Sequence, residues 1–305
     1  MKASENINQA ATPAEKELSV EKPSESQTQE IKHESTLFAE PIFHIDSFTV
    51  TNSLITSWIT VLIIIVLAMA VRLKLAKIPK GIQNYAEVIL EGVFDIADSV
   101  TGSRQKTLKF LPVVLPLFFF ILINNWLGLL PGVGSIGMVE SSHGELIFVP
   151  FLRGGTADLN TTLALAIMAV TLTHIFGVVM VSAWSHLNRF VGINLFLEIP
   201  KKIIKEKDYT ILLVNPIKFF VGIIEIIGEL AKVASLSFRL FGNVFAGEVL
   251  LAAMAAIFAY LLPVPFMFLE VIVGVIQALI FSLLTLVFLS IMTVDHEESS
   301  QTAGH

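Results

Sequence analysis

From Phe110 to Val139 the chain carries no formally charged side chain, and four further stretches are largely apolar: Leu54–Val71, Leu159–Asn188, Pro216–Leu261 and Pro265–Val294. A run of about 20 apolar residues crosses roughly 30 Å of hydrocarbon as an α-helix. Hydrocarbon offers no hydrogen bonds to an exposed backbone, so helices are the expected solution. Only 15% of the residues are charged, against about a quarter in soluble domains. The charges crowd into the first fifty positions and a few connectors. The expected fold class is an all-α integral membrane protein with about five membrane-embedded helices.

Residues 1–40 are rich in Glu, Lys, Ser, Gln and Thr and poor in large apolar side chains. Such a segment buries too little surface to offset the entropy of ordering, which predicts a disordered acidic tail. A membrane domain over 41–294 and a polar tail over 295–305 follow. Residues 1–50 hold nine acids and four lysines, a balance of −5 out of −6 for the whole chain. The remainder is close to neutral, and no nucleic-acid partner is expected. There is no cysteine, which excludes disulfides, iron–sulfur clusters and thiolate metal sites. No cofactor or metal is expected. The N-terminal segment resembles neither a signal peptide nor a transit peptide, which favours a bacterial inner (plasma) membrane over an organelle.

Ile82–Val100 differs from the apolar stretches. Its apolar positions (Ile82, Val88, Ile89, Val93, Ile96) alternate with Glu87, Glu91, Asp95 and Asp98, a spacing that predicts an interfacial amphipathic helix. Basic residues set the orientation. Arg72, Lys74, Lys77, Lys80, Arg104, Lys106 and Lys109 flank the connector between the first two spans, and Arg189, Lys201, Lys202, Lys205 and Lys207 follow the third. The loop from Gly132 to Asp158 has Arg153 as its single cation. The positive-inside rule then puts the N-terminal tail outside and the C terminus in the cytoplasm.

Ionisable residues at membrane depth are costly and usually functional, so the fourth apolar stretch is the informative one. Asn215-Pro216 reads as an N-cap followed by proline at the first helical position. Glu225, Glu229, Lys232, Arg239 and Asn243 then recur at spacings that hold them within a narrow arc of one helix. Glu248 lies half a turn away from Arg239 and looks in the opposite direction. On the last helix Glu270 and Gln277 share a face. The structural alternative is that these charges pair among themselves and hold helices together. For His174 a packing role is the simpler reading. A continuous helix over Pro216–Leu261 is about 69 Å long at 1.5 Å per residue, more than twice what an upright crossing needs, so the segment breaks or leans steeply.

The run Ser237-Phe-Arg-Leu-Phe-Gly-Asn-Val-Phe-Ala-Gly-Glu248 resembles the signature of the subunit a family of F-type ATP synthases. Gln83-Asn84 and Glu87, Asn124-Asn125-Trp126-Leu127-Gly128-Leu129-Leu130-Pro131, Ala157-Asp158-Leu159-Asn160 and Gln277-Ala278-Leu279-Ile280-Phe281 match in order, and the resemblance covers roughly residues 40–294. It implies a proton-conducting stator subunit with two half-channels, which is not catalytic alone. Arg239 would face the rotating c-ring, Glu248 would be the acid of the non-cytoplasmic half-channel, and Gln277 would partner the arginine. Asn243 would belong to the same lining, with Glu270 at a position that varies among relatives. The implied partners are the c-ring, the peripheral-stalk b subunits, the lipid bilayer and protons. The two last helices are expected as a long, tilted hairpin.

Elementary electrostatics agrees with these roles. Arginine stays protonated and cannot relay protons, but it favours the ionised form of a passing carboxyl. Glu248 and Glu270 are the expected carriers in the entry half-channel. Setting Arg239 level with Gln277 and Glu248 level with Glu270 puts the turn of the hairpin near Phe258–Ala259, with Leu262-Pro-Val-Pro265 on the return side. A secondary ion-coupled transporter is the alternative, but it calls for interrupted helices repeated in both halves, whereas the polar residues here concentrate in the last eighty positions. A membrane-embedded enzyme would need a nucleophile–base pair or a metal cluster, and neither Gly-x-Ser-x-Gly nor His-x-x-x-His occurs among the spans.

Overall fold

The computed structural model describes residues 36–73, 81–142, 145–180, 211–258 and 261–293. The chain runs β1 (Pro41–Ile45), β2 (Phe48–Thr51), α1 (Asn52–Leu73), α2 (Ile82–Thr101), α3 (Arg104–Leu129), β3 (Gly137–Ser142), β4 (Glu145–Pro150), a 3₁₀ turn at Gly155–Ala157, α4 (Leu159–Met180), α5 (Ile211–Ile257) and α6 (Pro263–Met292). Five of these helices, all but α2, are long and apolar enough to cross a membrane. They present large apolar side chains outward, among them Leu62 and Val66 of α1, Ile224 and Leu230 of α5 and Phe268 of α6. Water would penalise such a surface, whereas lipid accepts it. The protein is an all-α integral membrane protein. The expected amphipathic helix is α2, and it packs on α3 and α6.

Helices α3, α4, α5 and α6 pack on one another. Their shared core is built from Leu117 and Ile121 of α3, Ala166 and Val170 of α4, Leu240 of α5 and Phe281 of α6. A second cluster joins α2 to the far half of the bundle through Ala97, Phe110, Val114, Leu286 and Leu289. Helix α1 leans on α3 and leaves most of its surface outward.

Three features depart from the sequence reading. Residues 36–40 were grouped with the disordered tail, yet they are tied to the bundle: the Leu159 amide donates to the Leu37 carbonyl and the Ala39 amide to Asp158 Oδ1. Acidic composition alone misses this, because the segment itself contributes backbone groups rather than apolar side chains to these ties. Two β-hairpins, β1–β2 and β3–β4, were not expected. The first turns at Asp46, whose positive φ of 54° is a conformation Asp tolerates. Helix α5 begins at Ile211 rather than at Pro216, because the apolar run Ile211–Val214 adds a turn. Pro216 then costs one hydrogen bond near a helix end rather than deep inside.

The turn between α5 and α6 lies between Ile257 and Pro263; of its expected centre, Phe258–Ala259, Ala259 lies outside the described residues. Pro263 opens α6, as the return-side assignment of Leu262–Pro265 requires. Residues 1–35, the basic positions 74–80 and 189–207, the end of the third expected span (181–188) and the C-terminal tail fall outside the described residues.

Candidate proton path

On the inner side of α5 the structure gathers a group that charge spacing alone does not reveal. Arg153 follows β4, and only 5% of it is exposed. Its Nε donates to Glu248 Oε1 and Oε2 at 3.0 and 3.2 Å, and its Nη2 to Glu248 Oε2 at 2.9 Å. The remaining donors reach the N-terminal segment: Nη2 to the Thr36 carbonyl at 2.7 Å, and Nη1 to Thr36 Oγ1 and the Phe38 carbonyl, both at 3.2 Å. All five N–H donors of the guanidinium have an acceptor, which is how a buried arginine avoids its desolvation cost. Glu40 lies nearby, hydrogen-bonded to buried Asn52 at the start of α1. Burial pushes the Glu40 carboxyl above its ordinary value; Arg153 opposes the shift, Glu248 adds to it and the Asn52 amide opposes it.

Glu248 and Glu270 line one cavity of about 410 Å³ together with Arg153, Asn125 and Gly274. Glu270 points from α6 into the space beside Gly247, where a Cβ would overlap its carboxyl. Glu248 has a cation bound to it, whereas among the described residues no side chain hydrogen-bonds Glu270.

The cavity rests on an amide layer at the end of α3. Asn124 Oδ1 accepts the Gly155 amide at 2.6 Å, Thr156 Oγ1 donates to Asn125 Oδ1 at 2.5 Å, and Asn125 Nδ2 donates to the Gly274 carbonyl of α6 at 3.2 Å. Trp126 Nε1 reaches the Val271 carbonyl at 3.3 Å. Gly128 and Gly154 approach backbone to backbone, and a Cβ on Gly128 would make a tight contact of 3.0 Å with the Gly154 Cα. Asp158 caps α4 by accepting the Asn160 and Thr161 amides, and it also accepts from Ser53 Oγ. This pins α1 to α4.

Arg239 stands apart from this group. Its side chain is exposed on the outer side of α5, Nη2 donates to Ser235 Oγ at 3.1 Å, and the Arg239 carbonyl accepts from Asn243 Nδ2 at 3.0 Å. Both bonds stay within its own helix. Among the described residues no carboxylate lies within ion-pair distance of it. Gln277 is half-buried on α6, and no hydrogen bond joins it to Arg239.

One helical turn or more before Arg239 the polar stripe turns inward. Lys232 Nζ donates to Glu229 Oε1 at 2.7 Å and lies 4.8 Å over the Phe288 ring of α6. His174 of α4, read from the sequence as a satisfied packing residue, reaches Glu229 Oε2 at 3.5 Å. Glu225 is half-buried one turn earlier. The stripe therefore divides: Glu229 and Lys232 pair within the bundle, as the structural alternative has it, while Arg239 has no such partner.

Sequence reasoning names Arg239, Asn243, Glu248, Glu270, Gln277, Glu225, Glu229 and Lys232. It passes over Arg153, although its standing as the single cation of an acidic loop was a usable signal. It gives Asn124, Asn125 and Asp158 no role, and nothing in spacing shows that they meet.

Comparison with known proteins agrees with this architecture. The profile of the family described as ATP synthase A chain matches residues 54–290. The ATP synthase subunit a of Syntrophobacter fumaroxidans is 34% identical over 233 residues, covering 76% of this chain and 80% of the relative. That of Trichlorobacter lovleyi is 30% identical over 78% of this chain and 85% of its own length. That of Moorella thermoacetica is 29% identical over 82% and 94%. With the family profile spanning five apolar helices and both faces of α5, the chain belongs to the ATP synthase A chain family.

Proposed function

We propose that this chain is the proton-conducting stator subunit of a rotary ATP synthase, giving protons access to and from carboxylates on a separate rotating ring of c subunits. Membership of the family supports ATP synthesis and proton transport at a membrane. The observation that carries the finer reading is Arg239: a guanidinium exposed among the apolar side chains of α5, with no carboxylate partner among the described residues. A permanent positive charge at such a place is costly unless an anion meets it. A ring carboxyl arriving there loses its proton, because the adjacent cation favours the ionised form. It recovers one after it has passed. Arginine cannot itself accept the proton, so it separates two aqueous paths rather than joining them.

Glu248 and Glu270, which share the cavity, serve the half-channel on the non-cytoplasmic side, with Asn243 and Gln277 in the polar lining. Glu225, Glu229 and Lys232 form a second polar group on the other side of Arg239 along α5. The N-terminal tail lies outside and the C terminus in the cytoplasm of a bacterial inner membrane, with b subunits of the peripheral stalk holding the chain against the ring. Each proton that crosses 100 mV releases about 2.3 kcal/mol for rotation.

The deciding experiment is ATP-driven proton pumping by membranes carrying the assembled complex with Arg239→Ala. Loss of pumping with the chain still assembled supports the separator role. Unchanged pumping and coupled synthesis overturn it and favour a secondary transporter.

A further inference from the structure

The Arg153 group is built like a joint. Its guanidinium is buried, it spends its five donors on two separate parts of the chain, and none is left for water. Three bonds hold both oxygens of the Glu248 carboxylate on α5, and three hold the backbone and hydroxyl of residues 36–38. Two further ties, the Ala39 amide to Asp158 and the Leu37 carbonyl to the Leu159 amide, keep that segment against α4. Glu270, facing the same cavity, has no such clamp.

We propose that Arg153 is a positioning residue of the proton path: it fixes the Glu248 carboxylate in the cavity wall and fastens it to the backbone of Thr36 and Phe38. The N-terminal segment is then a working part of the half-channel rather than a solvated leader. This rests on the reading of the cavity as a half-channel. A carboxylate held by a planar fork has one orientation, whereas a carboxylate without it samples several. Proton hand-over depends on hydrogen-bond reach, about 2.6–3.2 Å between heavy atoms, so loss of orientation lowers conduction even where the helices stay in place. Glu270, whose carboxyl has no hydrogen-bonding side chain among the described residues, is left as the mobile carrier of the pair.

The test is ATP-driven pumping by membranes carrying the whole complex, normalised to the amount of chain present. Arg153→Gln is expected to lower pumping ~10-fold or more, since it leaves the half-buried Glu248 carboxylate without its charged donors. Arg153→Lys keeps the charge and up to three donors, and is expected within ~3-fold of wild type. The double variant Arg153→Gln/Glu248→Gln is expected to pump no worse than the poorer single variant within ~2-fold, because the two residues act as one unit.

A second measurement does not depend on conduction. The chain has no cysteine, so Ala39→Cys supplies a single, half-buried thiol. Its labelling by a maleimide is expected to speed up ~5-fold in the Arg153→Gln background, as the segment loosens. Wild-type pumping by Arg153→Gln, lysine no better than glutamine, multiplied losses in the double variant, or unchanged labelling would each overturn the proposal. Arg239→Ala in the same membranes separates the two failures: if it abolishes pumping while the Arg153 variants behave as wild type, only the present inference falls.

Discussion

The carboxyl of Glu270 on α6 occupies the space that a side chain at Gly247 of α5 would need. Gly247 is buried and directly precedes Glu248, so the absence of a Cβ there lets two acids from different helices share one cavity. The residue that must yield to a new Cβ is the far end of a flexible side chain, not backbone.

Gly247→Ala is therefore expected to turn the Glu270 carboxyl aside rather than to push the helices apart. The chain should assemble at wild-type level, with thermal stability changed by less than ~1 kcal/mol and proton pumping reduced several-fold. Adding Glu270→Asp, which shortens the offending side chain by one methylene, should recover part of the activity. Pumping assays on the two variants decide it; a single variant that pumps normally would mean that the position of the carboxyl is unimportant.

Gly155→Ala should behave differently. Its Cβ would stand 2.7 Å from Ser57 Oγ and 2.8 Å from both side-chain polar atoms of Asn124, the residue that accepts the Gly155 amide. Nothing there is a loose chain end, and displacing Asn124 strands buried polar groups at about 1–3 kcal/mol each. The expected result is a lower melting temperature of the complex in detergent together with reduced assembly.

Lys232→Met leaves the Glu229 carboxylate, whose side chain is 12% exposed, with His174 at 3.5 Å as its remaining partner among those described. Removing one member of a well-buried pair costs about 3–5 kcal/mol. The partial exposure of Lys232 reduces this to about 1–3 kcal/mol, the rest being recovered by solvent. Adding Glu229→Gln should restore stability, as measured by denaturant unfolding. A double variant less stable than Lys232→Met would show that the pair is not the unit of interaction.

Glu40 predicts a pH dependence whose sign follows from its environment. Burial holds its carboxyl above the ordinary value of 4.5, so the folded segment favours the neutral form. The corresponding stability is fully present below that ordinary value and is lost as pH rises through the folded one. The hairpin β1–β2 and its anchors should accordingly be most protected at the acid end, and Glu40→Gln should remove the dependence. Limited proteolysis within residues 36–51 across roughly pH 4 to 7 tests this; equal dependence in the variant would sink it.

The helices were legible in the sequence because hydrocarbon imposes a minimum apolar length on each; α3 ends at Leu129, just before the helix-breaking Pro131 and Gly132. That α5 and α6 return on each other as a hairpin was legible too: the turn falls between Ile257 and Pro263, and Glu248 and Glu270 line one cavity. Arg153 was not. Its partners lie 95 and 117 positions away, and a distance of that kind carries no periodic signal. The same holds for Asn124 and Asn125, whose partners, among them the Gly155 amide, the Thr156 hydroxyl and the Gly274 carbonyl, lie 31 or more positions away. Composition also misplaced residues 36–40, where order comes from main-chain hydrogen bonds.

The apolar part of α5 alone, Phe220–Ile257, runs for 38 residues, about 57 Å along its axis, with Glu229 and Glu248 on either side of Arg239 and about 28 Å apart. A rod that long has no upright arrangement inside roughly 30 Å of hydrocarbon. It leans, and leaning converts spacing along the helix into displacement across the membrane face. An ion arriving beside one acid and departing beside the other has then moved sideways as well as through. On the proposed half-channel reading no straight bore joins the two aqueous sides, and the sideways step would give a partner carried along α5 a sense of direction that an upright helix could not supply.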